Sequence, residues 1–263
     1  KSGGDFKSAT TEDFASDVLA AVQFLKTRSE IDARQIGLVG HSEGGLIAPM
    51  VAARSRDVAF IVLLAGPALP GERILLLQKA LIMKAEGASD SLVALDRRMS
   101  EEIFSIIKRE PDEAAAREKI LAYDQEAWEA VPEELKQEAE KYGDHRSGLM
   151  RGLQMSLTPW FRFFLTYDPG PTLQKVTCPV LALYGEKDLQ VPAGENRPAL
   201  AAALKAGGNR EVTIEILPGL NHLFQTAETG APGEYGKIEE TFSPVALRAI
   251  SDWIQARRKP VNR

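Results

Sequence analysis

The sequence predicts an α/β fold: a mainly parallel sheet, helices on both faces and a helical insertion. Three observations predict it. Short apolar runs alternate with helical patterns, which is how a parallel sheet with crossover helices reads in sequence. Two of those runs, Val58–Leu64 and Val180–Tyr184, are apolar on both faces, as strands covered on both sides must be. About a hundred residues between them follow a helical period and break the alternation.

Taken in order, Thr10 or Thr11 can cap a first helix, with Glu12 and Asp13 favourable in its first turn. Phe14, Val18, Val22 and Leu25 then mark a buried face. Ile36–Val39 is the first strand and Val58–Leu64 the second, ended by Ala65-Gly66-Pro67. In the insertion Leu92, Leu95, Met99, Ile103 and Ile106 step by three and four, and Pro111-Asp112-Glu113 and Pro132-Glu133-Glu134 each open a helix. Val180–Tyr184 and Val212–Leu217 are the third and fourth strands. A helix is expected within Pro192–Lys205. A last one starts at Ser243-Pro244, with Leu247, Ile250, Trp253 and Ile254 as its apolar stripe. The domain reading is a core in two parts, 1–66 and 172–263, interrupted by a helical cap at 67–171. The cap holds few apolar residues, so it is expected to lie over the sheet's carboxyl edge rather than to stand as an independent domain.

The composition narrows the function. The 263 residues are 44% apolar and 26% charged, with a net charge of −5 and no long basic run, which argues against nucleic acid as a partner. No apolar stretch is long enough for a membrane span. The one cysteine, Cys178, excludes an intrachain disulfide and reads as buried. No phosphate-binding glycine loop, metal-ligand cluster or cofactor motif is evident, so neither a metal nor a cofactor is expected. The chain opens on the loop-like Lys1-Ser2-Gly3-Gly4-Asp5 without an initiating methionine, and is read as beginning mid-protein.

The chemistry centres on Gly40-His41-Ser42-Glu43-Gly44, directly after the first strand. Flanking glycines let a strand turn sharply into a helix and leave the serine exposed at the tip. A serine hydroxyl needs a base, usually histidine. Of three histidines, His222 follows the last strand, where strand ends share one edge with Ser42. His41 is expected to point away from the serine as a packing or hydrogen-bonding residue, and His145 to be a solvated residue of the cap. Asp188, after the third strand, is the favoured partner of His222, with Glu186 its competitor. Trp160, Phe161 and Phe164 belong to the densest aromatic cluster and are candidates to line an apolar substrate pocket.

The order Ser42, Asp188, His222, together with the G-H-S-E-G-G elbow, resembles the α/β-hydrolase family, closest to its capped carboxylesterases and serine aminopeptidase-like hydrolases. The resemblance implies nucleophile, acid and base roles for these three residues. It also implies one oxyanion donor from the Glu43 backbone N–H and hydrolysis of an ester or other acyl substrate, a small molecule. The four strands match the fifth to eighth of the family's eight. The resemblance therefore places a second oxyanion donor, and a second neighbour for Ile36–Val39, in an upstream segment or another chain. Alternatives on the same triad are an aminopeptidase or amidase, with Glu101, Glu102, Glu126 and Glu129 as an acidic amine pocket, and an acyltransferase or thioesterase. A non-catalytic binding protein is the alternative outside enzymes.

Overall fold

The computed structural model describes residues 3, 5 and 7–257. It falls into two compact units, one formed by residues 11–70 and 168 onward, the other by residues 71–167 with the first ten residues.

The first unit holds a four-stranded, all-parallel sheet in the order β1-β2-β3-β4, where β1 is Gly37–His41, β2 Phe60–Leu64, β3 Val180–Gly185 and β4 Val212–Leu217. Around it lie α1 (Thr11–Lys26) and α2 (Gly44–Arg54). The short α9 (Gly170–Leu173), α10 (Ala193–Ala206) and α11 (Pro244–Gln255) complete the unit. The register puts Phe60, Val62, Leu181 and Thr213 on one face. There Trp253 of α11 meets the Phe60 ring edge-on at 5.8 Å and donates from Nε1 to Thr213 Oγ1 at 3.2 Å. Ile61, Leu63 and Ala182 point the other way, and Ile61, Val62, Leu181 and Ala182 are all sealed from solvent. Both faces of the two central strands are covered, as their unbroken apolar runs require.

β1 has one neighbour. Among the described residues no strand pairs with its outer edge, where Val39 is 56% exposed, and the expected second neighbour is not among them. The stripe of α11 also differs from expectation. Ala246 and Trp253 are buried, while Leu247 is exposed. At about 100° per residue, Leu247 sits a quarter-turn past the line through Ala246, Ile250 and Trp253.

The second unit contains α3 (Gly71–Ala85), α4 (Asp90–Arg109), α5 (Glu113–Glu129), α6 (Glu133–Glu140), α7 (His145–Ser156) and α8 (Pro159–Thr166). Side-chain caps start four of them: Ser89, Asp112, Asp144 and Thr158 each accept a backbone N–H from the first turn. Sparse as its apolar residues are, they concentrate where helices cross. Ile106, Ile107, Ile120, Leu153, Phe161 and Leu165 form one core, and Leu92, Leu95, Met99 and Val131 a second. Arg162 Nη1 donates to the carbonyls of Ile107 and Glu110, both at 2.7 Å, satisfying the C-terminal end of α4 where a cation is favoured. The unit's entry and exit meet: Gly71 N–H donates to Tyr167 O at 3.0 Å.

Candidate active site

The elbow is built by close backbone approach. β1 ends at His41 and α2 begins at Gly44, so the reversal falls on Ser42, held at φ 53°. A non-glycine residue there is strained, and the strain is held by its surroundings. Ser42 N–H donates to Leu64 O of the neighbouring strand at 2.8 Å, and Ser42 O accepts from Gly45 N–H at 2.8 Å. Gly40 and Gly45 are steric necessities, whereas a Cβ on Gly44, expected to be needed as the second flanking glycine, would meet nothing within 4 Å. A Cβ on Gly40 would lie 2.0 Å from Gly44 O, and one on Gly45 2.4 Å from Gly66 Cα. Glu43, at the head of α2, accepts from Thr11 Oγ1 at 2.7 Å, which ties the elbow to the first turn of α1.

Asp188 lies just past β3 and is 2% exposed. Its Oδ1 accepts the backbone N–H of Gln190 at 2.8 Å and of Val191 at 2.9 Å. That leaves Oδ2 for His222 Nδ1, 2.9 Å away, in a pair shielded from solvent. Glu186 is occupied elsewhere, accepting from Gly219 N–H at 2.9 Å.

His222 is presented by a loop after β4 that Asn221 organises. Buried Asn221 accepts through Oδ1 from the N–H of Leu223 and of Gln225, both at 3.0 Å, and donates from Nδ2 to Gln225 Oε1. Phe224 takes φ 59° and stacks on Phe242 with centroids 5.4 Å apart. Neither Asn221 nor Phe224 was a sequence candidate. An asparagine directly before the histidine in a tight loop is the only signal available. His41 donates from Nε2 to His222 O at 2.8 Å, with the two rings 4.8 Å apart. Burial lowers the His41 pKa, against which the bond to His222 O acts in the other direction. Ser42 is thus the chain neighbour of a residue that touches His222. Its Oγ has no hydrogen-bond partner among the described residues. Behind the elbow, buried Tyr184 donates to Gly66 O at 2.9 Å, and burial raises its pKa. Asn196 Oδ1 accepts from Ala68 N–H at 2.9 Å, so the segment that Gly45 packs against is fixed twice.

In the helical unit the aromatic candidates separate. Trp160 and Phe164 stack on each other at 5.6 Å, while Phe161 joins the core and faces a cavity of about 670 Å³ within this unit. His145 is not the solvated residue expected. Its Nε2 bonds buried Asp124 at 2.9 Å and its ring stacks on Trp128 at 3.7 Å, because the first turn of α7 points inward at α5. Glu101 and Glu102 pair with Arg97 and Arg109 and line an open surface depression that also holds Arg98 and Lys108, while Glu126 and Glu129 are exposed outside it, so the four acids share no pocket. Among the described residues no group of three or more His, Cys, Asp and Glu is placed to hold a metal ion, and no helix is long and apolar enough to cross a membrane.

A family model described as the alpha/beta hydrolase family matches residues 3–232. The chain belongs to the alpha/beta hydrolase family. Among solved structures this hydrolase is similar to the Pyrococcus furiosus esterase PF2001, at 14% identity and a TM-score of 0.51 over 98% of this chain and 66% of that one. A Paleococcus ferrophilus monoacylglycerol lipase matches at 15% identity and a TM-score of 0.47, over 98% of this chain and 80% of that one. MGS-M2, an alpha/beta hydrolase from a Medee basin deep-sea metagenome library, matches at 14% and 0.48, over 99% and 77%. At such identities the esterase supports the fold alone. No curated protein matches this hydrolase.

Proposed function

We propose that this alpha/beta hydrolase is a serine esterase that cleaves carboxylic esters through an acyl-enzyme, with Ser42 as nucleophile, His222 as base and Asp188 as its orienting acid. The observation that carries the reading is the buried Asp188–His222 pair, which turns His222 into a base with a fixed tautomer, set against the strained elbow that ends in Ser42. An ionised carboxylate only accepts, so Oδ2 holds the proton of His222 on Nδ1 and leaves Nε2 with its lone pair.

In this mechanism Ser42 Oγ attacks the ester carbonyl carbon as its proton passes to His222 Nε2. The tetrahedral oxyanion is stabilised by the backbone N–H of Glu43 at the N-terminal end of α2, where the helix dipole favours negative charge. Collapse breaks the bond to the leaving alkoxide, which takes the proton from Nε2 and departs as the alcohol. A water molecule, deprotonated by the same nitrogen, then attacks the acyl-enzyme carbonyl. The carboxylic acid leaves and the Ser42 hydroxyl is restored. Trp160, Phe161 and Phe164 are proposed to contribute the apolar wall that receives the substrate. The open edge of β1, with Val39 exposed, supports a further strand there, from an upstream segment or a second chain, which would also bring the second oxyanion donor. The surface pairing of Glu101 and Glu102 gives no support to an amine pocket, and hence none to the aminopeptidase alternative.

The test is labelling with a fluorophosphonate followed by peptide mass spectrometry, beside hydrolysis of p-nitrophenyl acetate and butyrate. A single adduct on Ser42, with both label and turnover abolished in Ser42→Ala, is the expected result. An adduct elsewhere, or turnover that survives Ser42→Ala, refutes the assignment.

A further inference from the structure

The cavity of about 670 Å³ is lined by the helical unit, from α3 to α8 and the turns after α3 and before α7. Its size is that of a small-molecule site, for which about 300–1,000 Å³ is usual. Its wall is adaptable: Met83, Met99 and Met155 line it, three of the chain's five methionines, and Met155 is 57% exposed. Unbranched, polarisable methionine suits a flexible aliphatic guest of variable length. Along α7 the cavity is flanked by Gly148 and Gly152, one turn apart, and a Cβ on either would meet nothing within 4 Å.

The charges of the lining are mostly spent on one another. Lys79 pairs with Asp96 at 2.6 Å and donates to Ser100 Oγ, and Asp124 is engaged by His145. Asp144 caps α7 by accepting from Ser147 N–H. Arg151 is the exception among the cations. It lies within the field of Asp144 but forms no ion pair and no side-chain hydrogen bond among the described residues. Glu86 is an unpaired acid of the same lining.

We propose that the helical unit binds a single-chain amphiphile with an anionic head, of the fatty-acid class, its chain in the methionine-lined cavity and its carboxylate on Arg151. Arg151 favours the anion because a guanidinium presents a planar donor fork that fits a carboxylate. The lining shares Phe161 with the proposed substrate wall, but Ser42, Asp188 and His222 are outside it, so binding here does not require the esterase reading.

The test uses Ser42→Ala protein, so that turnover plays no part. Binding of a fluorescent polyene fatty acid is measured, then displaced with saturated fatty acids of six to fourteen carbons, the matching alcohols and alkyltrimethylammonium ions. Affinity should rise about fourfold per added methylene until the cavity is full. Carboxylates should outbind alcohols and ammonium ions of equal length, and Arg151→Glu should weaken carboxylates about tenfold while leaving alcohols unchanged. Gly152→Phe and Gly148→Leu should each occlude the cavity and cost at least tenfold. Both replace an exposed glycine of α7 with a better helix former, so loss of fold is not the expected cause. Absence of binding, binding untouched by both glycine variants, or ammonium ions binding as tightly as carboxylates would overturn the proposal.

Discussion

Replacing Asp188 by asparagine tests the reasoning about the site at a single atom. The substitution keeps shape and burial but exchanges one acceptor for a donor. If the amide oxygen stays at the Oδ1 position, it still accepts from Gln190 and Val191, and the NH₂ group faces His222 Nδ1 from 2.9 Å. If the amide flips, the oxygen serves His222 and two buried backbone donors lose their partner, at about 1–3 kcal/mol each. The first arrangement therefore wins. In it two donors oppose each other, and the clash is relieved when His222 moves its proton to Nε2. That nitrogen can then no longer accept from Ser42. The expected loss in kcat is about 10⁴, or about 5 kcal/mol of barrier, as for the wrong tautomer in other triads. The assay is p-nitrophenyl butyrate hydrolysis, with the fluorophosphonate labelling rate in parallel and circular dichroism to show that the variant is folded. Labelling should fall by a similar factor. A folded Asp188→Asn protein within tenfold of the parent would refute the roles assigned to both residues.

Gly40→Ala places a Cβ 2.0 Å from a backbone oxygen and should cost about 3 kcal/mol with loss of Ser42 labelling, whereas Gly44→Ala meets open space and should stay within about 1 kcal/mol of the parent. Urea denaturation reads both. Cys178 is half-buried rather than buried as expected, and loss of solvent pushes its thiol from the usual 9.0 up to about 11, so alkylation by iodoacetamide at pH 8 should run about a hundredfold slower than for a free thiol and rise until about pH 11. Burial holds the His41 pKa below its usual 6.5, so the unfolded chain takes up the proton first. Stability from this group is complete above pH 6.5 and is lost as the pH falls through the folded value, and His41→Gln should flatten that part of the acid limb in pH-dependent urea melts. His145→Ala removes the partner of buried Asp124 and should lower stability by about 1–3 kcal/mol, with a change in Trp128 emission as the stacked ring disappears.

Much of the core was legible because its signals are local. Val212–Leu217 is the fourth strand to the residue, and Ser243 caps the last helix with Pro244 in its first turn. The elbow could be read because Gly40, Ser42 and Gly44 lie within five consecutive positions, although of the two glycines only Gly40 is demanded by space. What escaped depends on residues distant in sequence. The His145–Asp124 bond spans 21 positions between two helices, and nothing around Tyr142–Arg146 marks it as inward. Of the stripe expected on α11 only Leu247 is exposed, because the less apolar Ala246 takes the buried position beside Ile250 and Trp253. Asn221 was overlooked because its work is on the backbone of its own loop.

The bond from Gly71 N–H to Tyr167 O closes the helical unit on itself. Between β2 and β3 the chain makes its longest excursion, yet the excursion returns to its point of departure. The pairing of Leu64 with Leu183 therefore bears no closure cost beyond that of a short loop once the helices have assembled. Evolution can lengthen, shorten or exchange such an inset without disturbing the strands on either side. A protein engineer can do the same: a short glycine linker in place of residues 71–167 spans the gap, and helical insets from other hydrolases can be grafted at the same two residues.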